Sequence, residues 1–466
     1  MSSVLRRPWP GSVKQVYACC GGVENSHLNL YREMSAPVAY DMFRLLLGSG
    51  AVTPRGLNRV DLHYARFFFE SWRGDCVGTL PTPWGVRCYD RRRVLHGLDR
   101  LERLWSETVR SHEDHVLLRI KKGLSGKREA EPEGPCRHIR RLVRPLSRSL
   151  DLLSATGFSF GASVARAVPR NSIYVNVAQA GLAFPRIVSW LRHRPDVKSV
   201  FMLHDVIPLE HPELVPFGAY RRHAKIIDRT ARHASGLIVT TAAAREGVLN
   251  ALRLRGRSAI PVETVPLAVT PIFLEKEEPD HELCKHQYFV VCGTIEPRKN
   301  HLLLVKVWRE LIRRRGERAP KLVVVGSPGR GAGRVIRTVE RSRPLQGKLI
   351  FAHGLSSAGL RRLIAHANAL LMPSFAEGFG LPVIEALAVG TPVIASDLPA
   401  HREVAGDLAV YRDPADGPGW LTDICMFADA NPVAAEIRKR VSAYQPATWR
   451  EYFIRIESFL KTFEQP

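Results

Sequence analysis

Short apolar runs alternate with amphipathic stretches along the chain from about residue 170 onward. The runs at residues 172–177, 197–203 and 236–241 have the length and composition of buried strands. Apolar positions at helical spacing follow two of these runs, over residues 220–234 and 242–254. Apolar strands that alternate with helices predict a parallel sheet covered by helices on both faces.

The same alternation restarts after the acidic segment 275–282, which we interpret as a linker. Residues 288–292 are predicted to form the first strand of this second series, and a helix follows with Asn300 as its N-cap and Gly316 as its stop. Further buried strands are predicted at residues 322–325, 349–352, 369–372 and 393–395. Two such series predict two doubly wound parallel-sheet domains that face each other, with ligands at the carboxyl ends of the strands.

The amino-terminal part of the chain is less regular. A strand is predicted at residues 40–52 and a helix at 60–70, whereas residues 71–150 show no readable elements. The predicted organisation is an arm (1–38), a first domain (39–274) with a basic insertion (about 71–150), a second domain (283–440) and a carboxyl-terminal helix (441–466) that packs back on the first domain.

Size and composition exclude several classes of protein. A chain of 466 residues with 45% hydrophobic residues is typical of a globular protein of two or three domains. It has no apolar stretch of about 18 residues, so a membrane-spanning helix is not expected, and we find no secretory signal. The eight cysteines are scattered without a C-x-x-C pair, which indicates reduced thiols rather than a disulfide framework or a zinc site. These features predict a cytoplasmic location.

The net charge of +23 requires an explanation. It suits nucleic acid, an anionic membrane surface or an anionic substrate. Residues 119–148 are rich in lysine and arginine with apolar residues between them, a pattern that suits peripheral docking at the inner face of the cytoplasmic membrane. A solvated basic face is an equal alternative. Nucleic acid is disfavoured because no nucleic-acid-binding module is recognisable.

The most informative chemistry lies at residues 375–387, where Glu377 and Glu385 stand eight positions apart around a glycine-rich turn and Pro382. Proline suits the first turn of a helix, and a helix start attracts an anion such as a phosphate. The two carboxylates are placed to accept hydrogen bonds from hydroxyl groups on either side of that anion. Hydroxyl groups that flank a phosphate describe a nucleotide-sugar. A purely structural role of Glu385 at a helix start is the less favoured alternative, because the combination of both acids, the glycines and Pro382 is more specific than any one of them.

This stretch resembles the E-x7-E signature of the retaining family 4 glycosyltransferases, which have the GT-B fold. Four further segments resemble that family: Arg55 to Val60, His204 to Pro208, Cys292 to Asn300, and Thr391 to Ser396. The resemblance is strong over about 285–415, good over about 170–270 and fragmentary before 110. It implies two facing Rossmann-like domains with the nucleotide-sugar on the second domain and the acceptor on the first.

The resemblance also implies roles for individual residues. Glu377 would meet hydroxyls of the donor sugar, Glu385 the ribose, and His204 the transferred sugar, while Arg298 and Lys299 would bind the diphosphate. We therefore predict His204, Glu377, Arg298 and Lys299 as catalytic residues. The predicted donor-binding residues are Gly56, Gly293, Gly378, Phe379, Gly380, Leu381 and Glu385.

The residue types support a mechanism without a metal ion. Breaking a sugar–phosphate bond leaves charge on the departing diphosphate, which Arg298 and Lys299 would stabilise. No clear D-x-D metal motif is present, so neither a metal nor another cofactor is predicted. The family is retaining, and substitution from the front face of the sugar is implied. Thr294 is a departure, because some family members have an arginine at that position.

The predicted function is transfer of a hexose from a nucleotide-sugar to a glycan or a polyprenyl-diphosphate-linked acceptor in polysaccharide biosynthesis. The motifs most resemble those of bacterial mannosyl-type enzymes, which favours GDP-mannose and leaves UDP-sugars open. The alternatives are a non-catalytic nucleotide-sugar-binding protein and a nucleic-acid-binding protein. Acceptor identity and linkage do not follow from the sequence.

Overall fold

The computed structural model describes residues 35–48, 56–82, 85–110, 114–126, 161–276 and 278–464. The predicted amino-terminal arm, up to residue 34, lies outside the described residues. So does most of the basic segment 119–148, from residue 127 onward.

An eight-stranded sheet forms the first domain, in the order β4-β3-β2-β1-β5-β6-β7-β8. β3 runs antiparallel to β2 and β4, and the other neighbouring pairs are parallel. Its strands are β1 (Val38–Asp41), β2 (Cys76–Thr82), β3 (Gly85–Asp90), β4 (Ala162–Ser163), β5 (Ile173–Asn176), β6 (Lys198–Leu203), β7 (Gly236–Val239) and β8 (Val262–Thr264).

Helices connect most of these strands and cover the sheet. The α-helices of the first half are α1 (Phe43–Gly48), α2 (Leu57–Arg66, continued by a π-helical turn at Phe67–Ser71), α3 (Arg91–Arg110), α4 (His115–Leu124), α5 (Val164–Ala167), α6 (Pro185–Val188), α7 (Ile207–Glu210), α8 (Ala219–His233) and α9 (Ala242–Arg253). Within the described ranges, no helix of the chain is both long enough and apolar enough to cross a bilayer.

A six-stranded, fully parallel sheet forms the second domain, in the order β11-β10-β9-β12-β13-β14. This is the strand order of a doubly wound dinucleotide-binding sheet, in which the order reverses between the first and fourth strands. The strands are β9 (Tyr288–Cys292), β10 (Lys321–Val325), β11 (Leu349–Ala352), β12 (Leu370–Met372), β13 (Val393–Ser396) and β14 (Ala409–Arg412).

The helices of the second half follow the predicted alternation. They are α10 (His301–Arg315), α11 (Ala332–Glu340), α12 (Ser357–Ala365), α13 (Leu381–Ala388), α14 (Pro399–Ala405), α15 (Gly417–Ala428), α16 (Pro432–Ser442) and α17 (Trp449–Lys461). Asn300 precedes α10 as predicted, but its side chain does not cap the helix. Its amide nitrogen donates instead to the carbonyl of Pro414 at 2.9 Å, and its backbone has a positive φ of 53°.

Two predictions for the amino-terminal part are wrong. The strand predicted at 40–52 ends at Asp41, because the Asp41 carboxylate accepts a hydrogen bond from the backbone N–H of Phe43 at 2.8 Å and α1 begins there. The segment 71–150 contains elements that the sequence did not reveal. β2 pairs directly with β1, so residues 76–82 belong to the first sheet rather than to an insertion appended to it.

The carboxyl-terminal helix α17 packs against the first domain. The rings of Phe453 and Phe67 are stacked with centroids 4.2 Å apart, and the hydroxyls of Tyr452 and Tyr64 are 2.6 Å apart. Trp449 stacks on His63 at 4.2 Å. The final helix therefore crosses from the second domain back to α2, the helix that begins at the cleft.

We predict that Phe453→Ala lowers the free energy of unfolding by about 3–5 kcal/mol, because it removes a fully packed aromatic side chain. Phe453 is 2% exposed, whereas its neighbour Ile454 is 59% exposed. Ile454→Ala is the matched control, with an expected change within about 0.5 kcal/mol. Urea unfolding followed by tryptophan fluorescence measures both. Equal effects of the two changes would contradict the docking of α17.

Candidate active site

The candidate site lies where the strand order of the second sheet reverses. β9 ends at Cys292 and the neighbouring β12 ends at Met372, and the loops that follow these strands enter the cleft between the domains. This is the position at which doubly wound sheets bind ligands. A cavity of about 460 Å³ fills the cleft. Its lining includes all the predicted site residues, namely Gly56, His204, Gly293, Arg298, Lys299, Glu377, Gly378, Phe379, Gly380, Leu381 and Glu385.

Glu377 is the centre of a buried ion cluster. One carboxylate oxygen accepts from the Lys299 ammonium at 2.5 Å and from the Ser374 hydroxyl at 2.6 Å. The other oxygen accepts from the Arg298 guanidinium at 2.9 Å. Arg298 is also held by Glu296, at 3.0 Å, and by the carbonyl of Ala376 at 2.7 Å. The two cations are therefore fixed in place before any ligand arrives.

The cluster keeps Glu377 ionised. Burial by itself would raise the pKa of the Glu377 carboxyl. The charges of Lys299 and Arg298, with the hydrogen bonds from Lys299 and Ser374, outweigh that effect and hold the pKa well below its usual range. A carboxylate paired in this way is an acceptor of hydrogen bonds and a poor nucleophile or base.

The amino terminus of α13 opens into the same cavity. Gly380 precedes the helix with a φ of +102°, a conformation that favours glycine, and Pro382 follows within the first turn. The first N–H groups of any helix lack acceptors within the helix. Together with the helix dipole, they make this end of α13 attractive to an anion.

Gly378 allows the two domains to approach closely. A Cβ atom at this position would lie 2.5 Å from the carbonyl oxygen of His204 and 2.8 Å from the Cβ of Asp205. The carbonyl of Gly378 accepts from the Thr241 hydroxyl at 3.0 Å. A side chain here would separate the ends of β6 and β12, so glycine is required for the observed closure.

His204 is buried at the end of β6 and is neutral. Its Nε2 lies 2.8 Å from the carbonyl oxygen of Val177, which places the proton on Nε2. Burial lowers the pKa of the imidazole to about 4, and this effect exceeds the opposing influence of the Val177 carbonyl and of Asp205. The remaining nitrogen, Nδ1, is buried with no hydrogen-bond partner among the described residues. It can accept a hydrogen bond from a ligand hydroxyl.

Glu385 has a partner that the sequence analysis missed. Arg59 of α2 forms an ion pair with it across the cleft, and both side chains are buried. Burial raises the pKa of the Glu385 carboxyl, and Arg59 opposes that rise. Arg59 stood inside the segment that resembles the family, but no local pattern pointed to a contact 326 residues away. Glu296, which holds Arg298 from two positions earlier in the chain, was also not predicted.

Among the residues that the structure describes, no group of three or more His, Cys, Asp or Glu side chains is arranged to hold a metal ion. The positive charge in the cleft comes from Arg59, Arg298 and Lys299, each paired with a glutamate.

The fold is GT-B. The sucrose-phosphate synthase of Thermosynechococcus elongatus superposes with a TM-score of 0.56 at 17% identity, over 92% of this chain and 98% of that one. The Escherichia coli structure described as trehalose-6-phosphate bound with UDP-2-fluoro glucose has a TM-score of 0.54 at 12% identity, over 92% and 99% of the two chains. At these identities the likeness concerns the fold alone.

A family model matches most of the second domain. Residues 275–423 match the model of the family described as glycosyl transferases group 1. This segment contains β9 to β14 and most of the candidate site.

Several of the relatives are named as mannosyltransferases, and others as D-inositol 3-phosphate glycosyltransferases. The serotype-specific mannosyltransferase WbdA of Escherichia coli is 27% identical over 268 residues, which are 54% of this chain and 32% of that protein. The O-antigen chain mannosyltransferase RfbU of Salmonella typhimurium is 34% identical over 155 residues, 33% of this chain and 40% of that protein. The matched segment thus spans about a third of the length of WbdA.

The neutral state of His204 predicts a pH dependence of stability. Because the pKa is about 4 in the folded chain and 6.5 when unperturbed, the unfolded chain binds the extra proton between these values. The stability contributed by the neutral imidazole is complete above pH 6.5 and is lost as the pH falls towards 4. We expect this loss to amount to about 3 kcal/mol.

His204→Gln removes the titrating group and tests this expectation. The difference in unfolding free energy between wild type and variant, measured from pH 4 to 7, should shrink as the pH falls. A difference that is constant with pH would show that His204 titrates normally in the folded chain.

Proposed function

We propose that this chain is a retaining hexosyltransferase that moves a sugar from a nucleotide-sugar donor to a glycan or lipid-linked acceptor in polysaccharide assembly. The observation that carries the proposal is the pair of fixed cations, Arg298 and Lys299, held by Glu377 beside the amino terminus of α13. Such an array stabilises charge that develops on a departing diphosphate. The family of the second domain and the mannosyltransferase relatives support the same conclusion.

In this mechanism the diphosphate lies against Arg298, Lys299 and the start of α13. Hydroxyl groups of the donor sugar reach Glu377 and Nδ1 of His204, and Glu385 accepts from the ribose. The acceptor oxygen bonds to the anomeric carbon on the face from which the diphosphate departs. The carbon–oxygen bond to the phosphate breaks, and the acceptor proton passes to a phosphate oxygen.

Charge compensation by protein cations makes a resident metal or organic cofactor unnecessary in this scheme. Glu377 is not the nucleophile, because two cations already occupy its carboxylate. A front-face substitution therefore fits the cleft better than a covalent glycosyl intermediate. We favour GDP-mannose as the donor because several relatives are named as mannosyltransferases, and UDP-sugars are the alternative.

We predict that Glu377→Ala and Lys299→Ala each lower turnover of the donor by about 10²-fold or more, because the first removes the carboxylate that holds both cations and the second removes one of the cations. Purified protein would be incubated with GDP-mannose and a panel of UDP-sugars, and release of the nucleotide followed. Lys306→Ala is the matched control, because Lys306 is exposed on α10 outside the cavity.

Unchanged turnover in both site variants would refute the site. Binding of RNA or DNA by a protein that turns over none of the donors would instead support the nucleic-acid alternative, and nucleotide-sugar binding without turnover would support a non-catalytic role.

We further propose that the chain works as a peripheral protein on an anionic membrane surface, where a polyprenyl-diphosphate-linked acceptor is presented. The net charge of +23 and the basic segment 119–148 support this proposal. The described part of that segment, α4, contacts the linker and the second domain: Lys121 pairs with Asp280 at 2.7 Å, and Lys321 donates to the carbonyl of Gly123 at 2.8 Å. The proposal therefore assigns membrane docking to the basic residues that follow α4 in the sequence.

A variant with Arg137, Arg140, Arg141 and Arg144 changed to Gln should lose flotation with liposomes that contain anionic lipid, because it loses four positive charges. Flotation on a density gradient measures this directly. The control changes four exposed arginines of the second domain to Gln, namely Arg309, Arg313, Arg314 and Arg318. Flotation that is retained in the first variant, or lost equally in both, would contradict docking through this segment.

A further inference from the structure

Arg59 lies at the point where the first domain faces the donor site. Gly56 immediately precedes α2, the helix that carries Arg59. A Cβ atom placed on Gly56 would lie 4.0 Å from a methyl carbon of Leu381 at the start of α13. The amino termini of two helices therefore approach each other across the cleft. Arg59 is in the first turn of α2, so both helix dipoles act on the space beside its guanidinium.

The guanidinium of Arg59 is only partly satisfied. Nη2 pairs with Glu385, and the group lies over the ring of Phe273 with the central carbon 5.5 Å from the ring centroid. Nε and Nη1 are buried, and neither has a hydrogen-bond partner among the described residues. The Arg59 residue as a whole is 8% exposed and lines the 460 Å³ cavity.

Glu385 neutralises the charge of Arg59 but leaves the N–H groups of two nitrogens, Nε and Nη1, without acceptors. A buried donor without an acceptor is unfavourable, and a ligand oxygen that reached it would remove the penalty. The same cavity contains Arg298, Lys299 and the amino terminus of α13, which attract an anionic oxygen although Glu377 pairs with both cations. A guanidinium is moreover well shaped for phosphate, because its N–H groups form a planar fork.

We propose that Arg59 binds the phosphate groups of the nucleotide donor from the first domain's side of the cleft. The inference rests on the proposed function, since it requires a nucleotide beside Glu385. Arg59 keeps Nη2 on Glu385 and donates to phosphate oxygens through Nε and Nη1. Glu385, Arg298 and Lys299 belong to the second domain, whereas Arg59 belongs to the first. The donor is then held by both domains and stabilises their closure.

The test is the affinity of the full chain for GDP, GMP, UDP and UMP, measured by isothermal titration calorimetry. For the nucleotide pair that binds, Arg59→Met should raise the Kd of the diphosphate about tenfold or more and reduce the preference for diphosphate over monophosphate. Arg59→Lys keeps the charge and should fall between wild type and Arg59→Met. Glu385→Gln should weaken the monophosphate as well as the diphosphate, because the proposed ligand of Glu385 is the ribose that both nucleotides carry.

Arg402→Met is the control variant, because Arg402 forms an exposed ion pair with Asp397 in the second domain outside this cavity. It should bind nucleotides as wild type does. Melting temperatures of all variants separate lost contacts from lost folding.

Two patterns would overturn the proposal. Wild-type affinity in Arg59→Met, or an equal loss for mono- and diphosphate, would leave Arg59 as a residue that only positions Glu385. Failure of the wild-type chain to bind any of the four nucleotides would refute the proposed function and this inference together. The two failures are distinguishable because the first leaves wild-type binding intact.

Discussion

The structure depends on a buried carboxylate, Glu377, that is held between two cations at a helix start. A lone carboxylate would not remain ionised at this depth, because burial favours its neutral form. Arg298 and Lys299 reverse that preference. The loop after β9 must therefore bring both cations to the loop after β12, and the two strands must be neighbours. The reversal of strand order in the second sheet places β9 and β12 side by side.

The cleft is the second consequence of this arrangement. Close packing of Gly378 against His204 places the end of β6 beside the ion cluster, and the Thr241 hydroxyl fixes the same glycine from the first domain. α17 adds a second connection, through aromatic rings stacked on α2. α2 is thus held at one end by α17 and presents its other end, with Arg59, to the cavity. The packing of the carboxyl terminus and the geometry of the site are linked through one helix.

Most of the second domain could be predicted from the sequence, because its signals are local. The strand at residues 288–292 is observed with the predicted bounds, and the E-x7-E spacing placed Glu377 and Glu385 on one turn and helix. The first domain was less predictable. Asp41 ends β1 through a side-chain hydrogen bond inside an apolar run, and hydrophobicity alone does not reveal such a bond. Arg59 was missed because its partner, Glu385, is 326 residues away in the sequence, and the local sequence pattern carries no signal of such a contact.

The charges of the cleft are already paired with one another in the described chain. Glu377 occupies Arg298 and Lys299, and Glu385 occupies Arg59. A nucleotide-sugar would therefore not enter a bare positive site. Its phosphates would share the cations with the glutamates, while its hydroxyl groups would use the carboxylate oxygens' remaining capacity to accept hydrogen bonds. Such a site needs little rearrangement when charge develops on the diphosphate, because its dipoles and cations are already oriented, and preorganisation of this kind is what lowers a transition-state barrier.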